Sequence, residues 1–208
     1  LNLPRNPRDY TSIAVTTDDS NDEIVYASSM GDGVIQYKNG TPVQSYNEKN
    51  AFKETAGGYG SGYCYIDGLA FDKNGNLWMT SSEVNHAVLV LDKAGAWHRL
   101  DIEQLRGVYT INDILITSTN DKWIYVPRNT PKLVMIPNSE SLDEVSSYEF
   151  TTLIDTDGKE LTPSNYTCVA EDKDGYIWVG TNRGAVYFTK PRISSAEDKA
   201  ATRCTRVK

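Results

Sequence analysis

Few residues in this 208-residue chain are of types that do chemistry on their own. Histidine is limited to His86 and His98, which share no H-x-x-x-H spacing, so a metal pair or a histidine-based triad is poorly supplied. Cys64, Cys168 and Cys204 form no C-x-x-C, so no zinc site is expected; three thiols allow at most one internal disulfide. The glycine-rich run Gly57–Gly62 fits neither a dinucleotide fingerprint nor a P-loop. Asp155–Glu160 begins like a calcium loop but lacks its length and its closing bidentate Glu, as does Asp172–Gly175, so hairpin turns are expected at both. No G-x-S-x-G elbow is present. Nothing assembles a nucleophile, a base and an oxyanion site. The chain is therefore expected to have no catalytic residue, no metal and no cofactor.

Aromatic residues are a better lead. The longest polar stretch, roughly residues 47–65, holds Tyr59, Tyr63 and Tyr65. Loops on a rigid scaffold commonly carry binding residues, and tyrosines there can stack on sugars or anchor a partner. These three are the candidate ligand- or partner-binding residues. Net charge is −7, which argues against nucleic acid. Residues 190–208 carry +4, leaving −11 on the remainder. With 39% hydrophobic and 10% aromatic residues the chain is too apolar for disorder. No apolar run is long enough to span a membrane.

The elements that must position such residues come as a repeat. GLAFDKNGNLWMTS at 68–81 and CVAEDKDGYIWVGT at 168–181 share Ala, Asp-Lys, Gly and Trp at an offset of 100. Degenerate copies centre on Tyr26 and Trp123, so the aromatic anchors Tyr26, Trp78, Trp123 and Trp178 are 52, 45 and 55 residues apart. A period near 50 indicates a propeller or solenoid. Each unit reads as short strand, Asp/Asn/Gly turn, aromatic strand, apolar strand and polar strand. Four short antiparallel strands per unit make one propeller blade. The expected fold is all-β: a β-propeller over 1–208 with about four blades, at roughly 10–46, 65–101, 110–152 and 165–208. Almost no helix is expected, apart from a single turn over Glu140–Glu144. The Trp anchors are expected to fill the space between blades, each worth up to about 5 kcal/mol for about 200 Å² of burial. Asp72 and Asp172 are expected to accept turn N–H groups, with Gly75 and Gly175 closing the turns.

The phrase VAEDKDGYIWVGTNRG at 169–184 resembles the two-component regulator propeller repeat of Bacteroidetes proteins, and repeat by repeat the resemblance covers essentially the whole chain. The segment 13–40 with VQSYNEKNA at 43–51, and the segment 68–97, are similar to blades of the PorZ-like type IX secretion propellers. There are departures. Met30-Gly31-Asp32-Gly33 carries an inserted residue, and the third unit lacks the turn Gly. Relatives of this type have about seven blades, so four imply part of a larger propeller, or a second chain that covers the exposed blade faces; the alternative is a complete small propeller closed on four blades. The resemblance implies a non-enzymatic, extracytoplasmic binding module, in the periplasm or at the surface of a Gram-negative cell. Its implied partners are proteins of a type IX secretion and attachment complex, with lipopolysaccharide glycan as a further ligand. The alternative it implies is the periplasmic oligosaccharide-sensing propeller of a hybrid two-component histidine kinase.

Overall fold

The computed structural model describes residues 9–52 and 62–207. Its contacts gather into two compact units that meet in sequence at Ile114 and Leu115. In the first unit, one antiparallel blade comprises β1 (Tyr10–Thr17), β2 (Glu23–Gly31), β3 (Gly33–Lys38) and β4 (Thr41–Tyr46). A second comprises β5 (Cys64–Phe71), β6 (Leu77–Ser81), β7 (Val88–Leu91) and β8 (Trp97–Leu100). The two are stitched where Met30 and Gly31 of β2 pair with Tyr65 and Cys64 of β5.

The second unit holds a third blade, β9 (Ile114–Ile116), β10 (Lys122–Val126), β11 (Lys132–Ile136) and β12 (Tyr148–Phe150), in which β9 starts on the last residue of the first unit. A small hairpin follows, β13 (Leu153–Ile154) with β14 (Glu160–Leu161). The fourth blade is β15 (Tyr166–Glu171), β16 (Ile177–Thr181), β17 (Gly184–Phe188) and β18 (Cys204–Arg206). Between its last two strands lies α1 (Ala196–Ala201), capped by Ser195, whose side chain accepts from the Asp198 N–H. That helix is not anticipated from the sequence. Glu140–Glu144 forms bends and no helical turn.

Alternation explains the packing. Along β16, Ile177 and Val179 point into the core of the second unit beside Trp123, Phe150 and Phe188. Trp123 stacks on Phe150 at 5.9 Å and on Phe188 at 5.6 Å between ring centroids. Trp178 lies on the opposite face of β16, against Tyr187 at 4.9 Å. In the first unit, Val34, Leu69, Leu77, Met79 and Leu89 form the core, with Tyr26, Tyr46 and Phe71 packed at its edge.

The strand 1–2 turns are close copies. Asp72 Oδ1 accepts the N–H groups of Asn74 and Asn76, and its Oδ2 accepts the Trp78 ring N–H at 2.9 Å. Asp172 does the same for Asp174, Tyr176 and Trp178, the last at 2.7 Å. Gly75 (φ +84°) and Gly175 (φ +79°) occupy the left-handed region that closes each turn. Where the third blade lacks Gly, Asn120 takes that conformation at φ +68° and Thr117 Oγ1 replaces the Asp acceptor. In the first blade Asp18 and Asn21 fill these roles. The turns set a register that corrects the expected alignment. Six residues after the turn acceptor stand Trp78, Trp123 and Trp178, and in the first blade that place belongs to Ile24. Tyr26 lies on the same face of β2, two residues further along.

Candidate functional site

Tyr59 falls outside the described residues. Tyr63 and Tyr65 are brought together, with ring centroids 5.5 Å apart and planes tilted by 58°. Both are half-buried. The Tyr63 ring lies against Gly31, where a Cβ would sit 2.8 Å from its Cε2. A break in register between Ile66 and Leu69 turns Asp67 out of the ladder, and the Asp67 carboxylate accepts the Ser82 hydroxyl at 2.7 Å. Ser82 Oγ in turn accepts the Ile111 N–H. Burial raises the Asp67 carboxyl to about 7, against the opposing pull of the Ser82 bonds. Burial also raises Asp113, partly offset by the Ile114 N–H bond. Burial likewise raises the Tyr65 phenol, helped by nearby Tyr63, Asp67, Tyr109 and Glu83. The tyrosine pair therefore has near it, through Tyr65, a buried carboxyl, Asp67, that is reluctant to ionise. Asp67 and Ser82 carry no sequence motif, and only the bulge in β5 reveals them.

The anchors divide. Trp78 and Trp123 are buried and half-buried Trp178 faces away from the core. His98 Nε2 of β8 lies 3.0 Å from Oδ2 of Asp92, at the start of the β7–β8 turn. At the Asp155 turn, Oδ1 accepts the Asp157 and Lys159 N–H groups, so this segment is a hairpin turn. Among the described residues no cluster suited to a metal ion occurs. All three cysteines are free thiols, Cys64 and Cys204 buried and Cys168 exposed.

Two further features come from the repeat itself. Each unit has a cleft between its blades at the turn end, about 600 Å³ in the first unit and about 310 Å³ in the second. Their walls are equivalent. Lys73, Gly75 and Lys93 line one, and Lys173, Gly175 and Lys190 the other. In both, the stem of the lysine that follows β7 or β17 by two residues, Lys93 or Lys190, lies over the turn glycine, 3.5 Å from where a Cβ would be. A sequence signal for the difference exists: positions 71 and 171 are Phe and Glu at the same place in the repeat.

The turn that carries Asp172 and Trp178 is also what relates this chain to known proteins. Residues 160–183 match the two-component regulator propeller repeat. No curated protein matches the chain. Among solved structures, it is similar to PorZ of Porphyromonas gingivalis, described as an essential surface component of the type IX secretion system. That likeness has a TM-score of 0.78 and 17% identity, over 93% of this chain and 26% of that one. It is also similar to two extracellular domains of putative hybrid two component systems from B. thetaiotaomicron. One gives TM-score 0.60 at 15% identity, covering 89% of this chain and 23% of that one. The other gives 0.56 at 16%, covering 86% and 21%. The regulator propeller repeat and these neighbours establish the β-propeller fold, built of four-stranded blades. The chain spans about a quarter of the length of these proteins. No helix among the described residues is long and apolar enough to cross a membrane.

Proposed function

We propose that this chain is a non-enzymatic, extracytoplasmic propeller module that docks protein partners within a type IX secretion and cell-surface attachment complex, with lipopolysaccharide glycan as a further ligand. The observation that carries this reading is the likeness to PorZ over 93% of the chain. The paired Tyr63 and Tyr65 rings offer a partner an amphipathic, weakly charged contact surface. Residues 190–208, with their +4 charge, offer the anionic part of a lipopolysaccharide its most favourable contact. The sensor domains favour a second reading, an oligosaccharide-sensing propeller of a hybrid histidine kinase.

Deletion of the coding region in the parent bacterium separates the two. Loss of surface attachment of secreted proteins supports the secretion role. Intact attachment with a lost transcriptional response to one polysaccharide supports the sensor role and sinks the first. In vitro, the purified chain is mixed with lipopolysaccharide vesicles, and a Tyr63→Ala/Tyr65→Ala variant is tested for loss of protein-partner binding.

A further inference from the structure

The two clefts start from one repeat and end differently. In the second unit, Trp123 fills the floor and is fully buried, and the Glu171 carboxylate accepts both the backbone N–H and the hydroxyl of Ser118. That pair of bonds straps the β15–β16 edge to the β9–β10 turn across the cleft mouth. In the first unit, Ile24 stands where Trp123 does, Phe71 where Glu171 does and Asp19 where Ser118 does. A phenyl ring cannot accept and a carboxylate cannot donate, so the strap cannot form. The smaller floor residue exposes a second layer, Tyr26 and Gln36, and the cleft has about twice the volume.

We propose that this open cleft of the first unit is a binding site for an uncharged saccharide. Its floor is an aromatic corner: Tyr26 and Phe71 meet edge to face at 5.8 Å, both half-buried. A sugar ring presents C–H bonds on its face and hydroxyls around its edge. The corner receives the face. The rim supplies the edge, because the side chains of Asp19, Asn74 and Lys93 make no hydrogen bond or ion pair among the described residues and bring both donors and acceptors. Charge selects a neutral ligand. Lys38, Lys73 and Lys93 are balanced by Asp18, Asp19 and Asp92, and Lys38 is already held by Asp18 at 2.7 Å and Asp22 at 2.8 Å. The volume lies within the roughly 300–1,000 Å³ range of small-molecule sites. This inference rests on the glycan-binding part of the function proposed above, but places it in a different part of the molecule from the basic 190–208 segment.

The test is titration of the purified chain with maltotriose, mannotriose and β-1,4-galactotriose, with trigalacturonic acid as the charged counterpart, followed by calorimetry and by the ring-proton shifts of Tyr26 and Phe71. At least one neutral trisaccharide is expected to bind and to move those ring protons. Phe71→Ala is expected to weaken it at least tenfold, and the rim variants Asn74→Ala and Lys93→Ala several-fold. Glu171→Ala is expected to leave it unchanged. The rim variants keep the test valid if loss of Phe71 disturbs folding. Absence of binding by all three neutral sugars, binding only of the charged one, or binding indifferent to Asn74 and Lys93 would overturn the site. So would a peptide ligand that displaces the sugar from Phe71 at lower concentration. Lipopolysaccharide or partner binding that survives these variants would leave the module reading standing while this site falls.

Discussion

The cleft in the second unit is narrowed to about 310 Å³ by a fully buried Trp123 and the Glu171–Ser118 strap, while its counterpart in the first unit, with Ile24, Phe71 and Asp19 at those places, has about 600 Å³. The turns, the glycine closures and the overlying lysines are the same in both. Three side-chain replacements on a constant frame thus separate a narrow, strapped inter-blade cleft from a wider one. The frame is maintained by local turn chemistry, so function can vary in the residues between the turns without cost to the fold. The units also differ in titration. The raised carboxyls of Asp67 and Asp113 both lie in the first unit, whereas the shifted carboxyls of the second, Asp155, Asp172 and Asp198, are all lowered, chiefly by N–H and ring N–H bonds.

The largest expected effect comes from giving the second unit the first unit's floor. Trp123→Ile should cost about 2–4 kcal/mol in urea unfolding, since it removes a buried indole that stacks on two rings and leaves a cavity. A loss below about 1 kcal/mol would mean that the seam does not depend on that ring.

Asp67→Asn sharpens the electrostatic side. A carboxyl raised to about 7 in the folded chain holds its proton between the unfolded value near 4 and 7. The folded state then binds more protons than the unfolded one, so stability falls as pH rises through that window. The variant should flatten the decline by about 2–4 kcal/mol between pH 4 and 7, read from denaturant midpoints. An unchanged slope would place the decline elsewhere, with Asp113 the next group to replace.

The Asp acceptors compare the turns directly. Asp72→Ala removes four bonds from a buried carboxylate and should cost about 1.5–3 kcal/mol. Asp172→Ala breaks three bonds at a more exposed turn, where Tyr176 offers no counterpart of the Asn76 amide, and should cost less. Equal losses would show that burial does not set the strength of this turn.

The smallest effect is Glu171→Phe, which imports the first unit's wall. Loss of two exposed bonds to Ser118 should cost only about 0.5–1 kcal/mol. The gain to look for is an opened cleft that newly admits a neutral trisaccharide. A variant whose cleft stays narrow would assign the narrowing to Trp123 alone.

Much of this was legible in the chain of residues, because the interactions concerned are local. An Asp three residues before a Gly makes the same turn wherever it occurs, and alternation with period two assigns strand faces without knowledge of the partner strand. Thus the Asp72 and Asp172 turns, the Trp78 and Trp123 packing and the blade repeat follow from spacing. The register of the first blade did not. Tyr26 shares a face with Ile24, so a repeat aligned on aromatic type lands two residues away from one aligned on turn geometry, and only the hydrogen bonds of Asp18 separate the two. The short helix Ala196–Ala201 was also illegible, being too brief to show a period.

Only the tertiary structure decided what the variable positions do. Phe71 and Glu171 look like interchangeable edge residues in sequence, and they become a wall and a strap because a second blade brings Ser118 to one and Asp19 to the other. Asp67 is an unremarked aspartate until a bulge in β5 buries it against Ser82. The sequence alone settled the repeating frame, since turns and pleats are made by neighbours along the chain. The clefts and the protonation of Asp67 depend on neighbours supplied from elsewhere in the chain, by other strands and other blades, and no local pattern encodes which of them will meet.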